Sequence, residues 1–246
     1  MRDFARASRL LVQPLRGTMD TYLDPTHPKP RQGQEYQDFD VNSNAVTEPT
    51  TSPYGDISQW DLLWIGHCGT RFPIPSDGNA PLGRVVIPND QTVPEHQHLN
   101  MEYGNEDLLR QYDAHTRVVS RARLNTCSLG YGISQGGARR FLWELGTRRM
   151  SDTNDMMFRH VCDGVEGREL GMCLTVQPQL FQHHRPVGPR AGFSDISDHG
   201  KGYNDRAFTR NVRWSVRLNF PQLISGKTDY TDLFEDGAEK LKLPPG

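Results

Sequence analysis

The chain has 246 residues, of which 35% are hydrophobic, and its mean hydropathy is −0.69. These values predict small apolar clusters separated by long polar loops. The formal net charge of −2 gives no general electrostatic reason to bind nucleic acid or an anionic membrane. The sequence contains no run of about 18 apolar residues, so it predicts no membrane-spanning segment.

The N-terminal part of the chain is divided into a predicted helix and a predicted loop. Apolar residues recur at intervals of three and four in segment 1–23, which indicates an amphipathic helix over residues 4–16. Segment 24–59 carries five prolines and few aliphatic residues, so we expect a surface loop. Residues 60–246 are expected to form the main domain.

This main domain shows alternating strand and helix signals. Short apolar runs predict strands at residues 61–66, 116–120, 127–133 and 172–176. Ser134 is expected to cap a helix that ends at Gly146. Further helices are predicted from Ser151 or Asp152 onward and over residues 230–241. The order strand, helix, helix, strand favours an α/β domain.

The four cysteines, Cys68, Cys127, Cys162 and Cys173, leave two interpretations open. None of them belongs to a CxxC pair, so a structural zinc site is not predicted. They are either four buried thiols in a reducing compartment, or Cys162 and Cys173 form a disulfide across a glycine-rich turn. The second interpretation implies a secretory lumen.

Four sequence blocks, in a fixed order, carry a family resemblance. They are WDLLWIGHCG at 60–69, GYGISQGGARR at 130–140, DTNDMM at 152–157, and VQPQLFQHHRP at 176–186 followed by SDI at 194–196. The chain resembles glycosyltransferase family 25, which includes lipopolysaccharide glycosyltransferases and collagen galactosyltransferases, and it is most similar to the fungal members.

The resemblance implies an α/β fold of the GT-A type with long irregular loops. It also implies transfer of a hexose, galactose by analogy, from a UDP-sugar to a glycan or protein acceptor, with inversion and with Mn²⁺ or another divalent cation. The expected location is the lumen of the Golgi or endoplasmic reticulum.

The chain departs from the family at its N-terminus. Members of the family begin with a nucleotide-binding half that ends in an acidic Glu-Asp-Asp motif, which holds the metal. No such strand precedes residue 60, and segment 1–23 is similar to the helix that follows the motif. We therefore expect the donor-binding half to be missing ahead of Met1 and the activity of this chain to be impaired.

The resemblance points to two acidic residues as candidates for the catalytic base. Asp155, and after it Asp152, lies at the front of a predicted helix, where a carboxylate beside a cleft can deprotonate an acceptor hydroxyl. The alternative is that either residue simply caps the helix. A hydrolase that uses Asp152, Asp155 and Asp163 is a further alternative.

Donor and metal contacts are predicted on three other segments. His183 and His184 follow a strand end and are candidate metal ligands, or else two surface histidines. Ser134, Gly136 and Gly137 begin a helix whose N–H groups suit a phosphate, although close helix–strand packing explains the glycines as well.

Ser194 and Asp195 lie in a loop that can close over the donor, or in an ordinary surface turn. An inactive glycosyltransferase-like binding or partner protein is the main alternative function.

Overall fold

The computed structural model describes residues 37–40, 57–58, 60–77, 80, 82–101, 103–104, 106–195 and 198–244. The helix predicted in segment 1–23 lies outside these residues. Within the described part, no helix has the length and apolar character needed to cross a bilayer.

A six-stranded mixed sheet forms the centre of the described chain. Its strands are β1 (Gln37–Asp40), β2 (Leu62–Gly66), β3 (Gly83–Ile87), β4 (Arg117–Arg121), β5 (Gly130–Ile133) and β6 (Cys173–Gln177). Their order across the sheet is β1-β3-β4-β6-β2-β5. The β1–β3 and β2–β6 pairs are parallel, and the other neighbours are antiparallel.

Helices and small ribbons surround this sheet. The helices are α1 (Asp107–Gln111), α2 (Gln135–Phe141, continued by the π-helical segment Leu142–Arg148), α3 (Asn154–Asp163) and α4 (Phe220–Ile224). Two-stranded ribbons pair β7 (His184–Arg185) with β10 (Phe208–Thr209) and β8 (Gly188–Pro189) with β9 (Tyr203–Asn204). The predicted α/β class is confirmed at this level.

The apolar core lies on both faces of the sheet because β2 alternates its side chains. Leu62 and Trp64 pack in a buried cluster with Phe158 of α3. Leu63 and Ile65 pack against the second cluster, which contains Val176 of β6. Each fully buried side chain of this size contributes about 1.5–3 kcal/mol, so a central strand with apolar residues on both faces anchors the sheet.

All four cysteines form disulfides, so the interpretation as free thiols is wrong. The proposed Cys162–Cys173 bridge is confirmed and joins α3 to β6 inside the core. The Cys68–Cys127 bridge joins the segment after β2 to the segment before β5, over a sequence separation of 59. In the chain-entropy model, closing a loop of that length stabilises the fold by about 4 kcal/mol.

Glycines in β2 and β5 allow another segment of the chain to approach the sheet closely. A Cβ atom built on Gly66 would lie 2.6 Å from the Cβ of Phe181, and one built on Gly130 would lie 3.0 Å from the Phe181 ring. The chain after β6 therefore passes directly over β2 and β5, where side chains larger than glycine would collide with Phe181.

Strand β1 corrects the prediction that segment 24–59 is a loop throughout. Its parallel pairing with β3 supplies backbone hydrogen bonds that the polar sequence does not signal. Tyr112, which follows α1, also donates its hydroxyl to Asp38 Oδ1 at 2.8 Å.

The predicted C-cap at Gly146 is also wrong, because the helix continues through a π-helical segment to Arg148. Arg149 N–H donates to Glu144 O and closes the segment. The next helix, predicted from Ser151 or Asp152, begins at Asn154 with Thr153 as its N-cap residue. It ends at Asp163, and its C-cap residue Gly164 is in the left-handed conformation.

The prediction of a helix over residues 230–241 is wrong, because side chains bind the backbone groups of this segment. Asn219 accepts from Thr231 N–H at 2.6 Å and donates to Thr231 O at 3.1 Å. Asp232 accepts from Phe234 N–H and pairs with Arg213. These side chains take the backbone groups that a helix would use, and this competition favours an irregular segment.

Ser134 caps α2 as predicted, and its Oγ accepts from Gly137 N–H at 2.9 Å. Gly137 packs so closely on the sheet that a Cβ atom there would lie 2.2 Å from Asp61 O. The packing explanation for this glycine is therefore supported by the contact itself.

We predict that Gly137→Ala destabilises the protein by about 1–3 kcal/mol, because the new methyl group collides with rigid backbone. Gly146→Ala is the matched control, since nothing lies within 4 Å of a Cβ at that position. Chemical denaturation of both variants measures the difference. Equal stability of the two variants would contradict the packing account.

Candidate functional site

A cavity lies at the edge where the parallel strands β2 and β6 end. Cys68 comes two residues after β2, and Gln182 and His183 follow β6. Because parallel strands point the same way, their carboxyl ends bring these segments to one edge of the sheet, where α/β proteins bind ligands.

The cavity is small and open to solvent, and the centre of a water-sized sphere can occupy about 50 Å³ within it. Its described lining residues come from the loops beyond β2 and β6, from the β7–β10 ribbon and from the segment before α1. They are Cys68, Asn100, Tyr103, Gln182, His183, Arg185, Phe208, Arg210 and Asn211.

The charges that line this cavity are positive. Arg185 donates to Phe193 O at 2.9 Å, and burial together with the nearby charge of Arg210 lowers the pKa of its guanidinium. Among the described lining residues, none carries a carboxylate. The wall therefore favours an anionic ligand.

One side of the cavity is held rigidly by a pair of asparagines. Asn211 Oδ1 accepts from Asn100 N–H at 2.7 Å, and Asn211 Nδ2 donates to Asn100 O at 2.9 Å. The side chain of Tyr103 is largely exposed at the rim, where its ring offers a flat surface.

The two predicted metal ligands occupy different surroundings. His183 lines the cavity, and burial, Arg185 and His199 lower its pKa, so the imidazole is neutral near pH 7. His184 begins β7 and places Nδ1 3.2 Å from Thr209 Oγ1. Only His183 of this pair is part of the cavity wall.

The described residues near His183 do not form an oxygen-rich metal site. Cys68 and Cys127, the residues grouped with it, are joined to each other as a disulfide. Mn²⁺ prefers carboxylate and other oxygen ligands, which this group does not provide. A manganese ion does not fit here.

A second group of possible ligands lies elsewhere. Glu95, His115 and Asp236 have ligand atoms within 4.8 Å of one another. Glu95 accepts from Gly237 N–H at 2.7 Å, and Asp236 pairs with Arg213 at 3.0 Å. The Glu95 contact fastens the C-terminal segment to the loop before α1, and the Asp236 contact fastens it to the segment after β10.

Asp155 is close to the disulfide but is not among the residues that line the cavity. Its Oδ2 accepts from Cys127 N–H at 2.9 Å and its Oδ1 accepts from Thr153 Oγ1 at 2.9 Å. Burial alone would raise the pKa of Asp155, but these hydrogen bonds outweigh it and lower the pKa. Asp152 is exposed and accepts from Thr153 N–H.

The three carboxylates of the hydrolase alternative are not brought together. Asp163 is at the opposite end of α3 from Asp155, about 12 Å away along the helix axis. It is buried and pairs with Arg123 and Arg159.

The residues predicted to bind a phosphate, and those predicted to lie in a loop that closes over the donor, do not line the cavity. Ser134, Gly136 and Gly137 are at the start of α2, where Ser134 and Gly137 bond to each other. Ser194 and Asp195 follow the 3₁₀ turn Arg190–Phe193, and Arg185 is bonded to the last residue of that turn.

The sequence did not single out Arg185, Arg210, Asn100, Asn211 and Tyr103. Arg185 directly follows the two histidines in the fourth block, and this adjacency was an available signal. Asn100 and Tyr103 lie in a polar loop whose sequence contains no signal of a functional site.

Buried His67 links the two strand ends behind this cavity. Its Nε2 lies 2.8 Å from Val176 O, as a donor. Burial lowers the pKa of His67 to about 4, partly opposed by this hydrogen bond.

Comparison with models of protein families, with curated proteins and with solved structures found no match to this chain. The family relationship therefore stays a prediction from the four sequence blocks.

We predict that the protein loses stability as the pH falls from about 6.5 to about 4. In that window the unfolded chain protonates His67 while the folded chain does not, so the free energy of unfolding decreases by on the order of 3 kcal/mol. The His67→Gln variant should show a shallower pH dependence in denaturation experiments. Partly exposed His96→Gln is the control, and identical slopes for all three proteins would contradict the assignment.

Proposed function

We propose that this protein is a glycosyltransferase of the family 25 type. It transfers a hexose, galactose by resemblance, from a UDP-sugar to a hydroxyl group of a glycan or protein, with inversion. Its mixed sheet is then part of a GT-A-like fold. The observation that carries the proposal is the positively charged cavity at the carboxyl ends of β2 and β6.

The charge of the cavity suits a nucleoside diphosphate. Arg185 and Arg210 present guanidinium groups, which bind phosphate oxygens through paired hydrogen bonds. Positive charge at this position stabilises a leaving diphosphate as its negative charge develops. Tyr103 at the rim supplies a ring on which a base or a sugar can stack.

Asp155 remains the proposed base. It does not line the cavity, but it accepts a hydrogen bond from Cys127, whose disulfide partner Cys68 does. The carboxylate is ionised at neutral pH, as a proton acceptor requires, and the hydrogen bonds that lower its pKa also make it a weaker base. Its partial exposure leaves it accessible from the surface. An acceptor hydroxyl held between Asp155 and the donor would lose its proton as it attacks the sugar.

One observation favours the second candidate, a sugar-nucleotide-binding protein without turnover. Both oxygens of Asp155 already accept hydrogen bonds, and the Cys127 bond holds the backbone beside the disulfide. That arrangement also explains Asp155 as a purely structural residue. The two disulfides are consistent with the expected secretory lumen in either case.

We predict that UDP binds to the protein and that Arg185→Gln and Arg210→Gln each weaken binding about 10-fold or more. Each variant removes a charged hydrogen-bond donor from the cavity. Isothermal titration with UDP measures the effect, and thermal melting confirms that each variant is folded.

Arg206→Gln is the matched control, since Arg206 is exposed and does not line the cavity. Absence of UDP binding, or equal weakening by all three substitutions, would refute the proposed donor site.

We predict that Asp155→Asn lowers the release of UDP from UDP-galactose about 100-fold, with the affinity for UDP within about 2-fold of the original. The assay contains a divalent cation and a panel of glycan acceptors, and a reaction without acceptor reports hydrolysis. Asp152→Asn is the control.

Full activity of Asp155→Asn would remove this residue as the base. UDP binding without turnover in the unmodified protein would support the second candidate.

A further inference from the structure

The Cys68–Cys127 disulfide is unlike the second disulfide in its surroundings. Cys162 and Cys173 are almost fully buried in the core between α3 and the sheet. Cys68 and Cys127 are only partly buried, and Cys68 lines the open cavity. A soluble reductant therefore reaches one bridge and not the other.

His183 lies directly against the accessible bridge. A ring nitrogen of His183 and the two sulfur atoms of Cys68 and Cys127 all lie within 4.8 Å of one another. The three residues come from three separate segments, which follow β2, precede β5 and follow β6. Two sulfurs and one imidazole form a donor set suited to Zn²⁺ and leave a fourth coordination position for water or another ligand.

We propose that reduction of the Cys68–Cys127 disulfide converts this place into a Cys₂His site for Zn²⁺. A dithiol supplies two electrons and two protons, becomes a disulfide itself and leaves two thiols on the protein. Zn²⁺ then binds both sulfurs as thiolates, and the two thiol protons pass to solvent. The proposal goes beyond the sugar-nucleotide function and does not depend on it.

The backbone around the cysteines is held without the help of the bridge. Cys68 N–H donates to Thr126 O at 2.8 Å, and Thr126 N–H donates to Gly69 O at 3.0 Å. Cys127 N–H is bonded to Asp155, and Cys127 O accepts from Trp64 Nε1 at 2.9 Å. These bonds keep the two cysteines opposite each other after reduction.

The required movement is small. In a tetrahedral site with Zn–S bonds of about 2.3 Å, the two sulfur atoms lie roughly 3.7 Å apart. The Cα atoms of Cys68 and Cys127 are 5.4 Å apart. Rotation of the two side chains about their Cα–Cβ bonds is enough to separate the sulfurs while the anchored backbone stays in place.

Cobalt binding to the whole chain tests the proposal. The protein is treated with a dithiol, desalted without oxygen and titrated with Co²⁺, a spectroscopic substitute for Zn²⁺. We expect one Co²⁺ per chain with intense thiolate-to-cobalt absorption, and no such absorption from the oxidised protein. Zn²⁺ should displace the cobalt and abolish the signal.

Two histidine variants and a count of the alkylated cysteines make the test specific. His183→Ala should weaken Co²⁺ binding about 10-fold or more, whereas His184→Ala, whose ring contacts Thr209, should not change it. Alkylation before titration should modify two cysteines and not four.

Three outcomes would overturn the proposal. They are the absence of a thiolate signal from the reduced protein, equal affinity of the two histidine variants, and loss of the native circular dichroism spectrum on reduction.

Discussion

The parallel pairing of β2 with β6 is the constraint on which the rest of the structure depends. Leu62 and Trp64 pair with Cys173 and Thr175, and the Thr175 hydroxyl donates to Trp64 O in the buried interior. Both strands bury residues on both faces of the sheet. Since the two strands point the same way, the segments that follow them meet at one edge, and the cavity forms there.

The cavity and the Asp155 region are joined through one short segment of chain. Cys127 is bonded through its sulfur to Cys68 at the cavity wall and through its N–H to Asp155 at the start of α3. The segment that carries Cys127 therefore contacts both places. Asp155 helps to hold this segment, whatever part it takes in chemistry.

Local patterns in the sequence are enough to predict the central strands and the α2 cap, but they do not predict the cavity. The apolar run at β2 and the Ser134 cap are local signals, and the structure confirms both predictions. β1 and the Cys68–Cys127 bridge depend on partners 46 and 59 residues away, respectively, which no local pattern reveals. The pairing of β7 with β10 brings Arg185 and Arg210 to the same cavity. Their combined positive charge is therefore evident from the folded structure and not from their positions in the sequence.

A structure of the protein with bound UDP tests the central claim most directly. The account predicts that the diphosphate lies between Arg185 and Arg210, beside His183 and the Cys68–Cys127 bridge. A diphosphate bound instead at the start of α2, against Ser134 and Gly136, would contradict it.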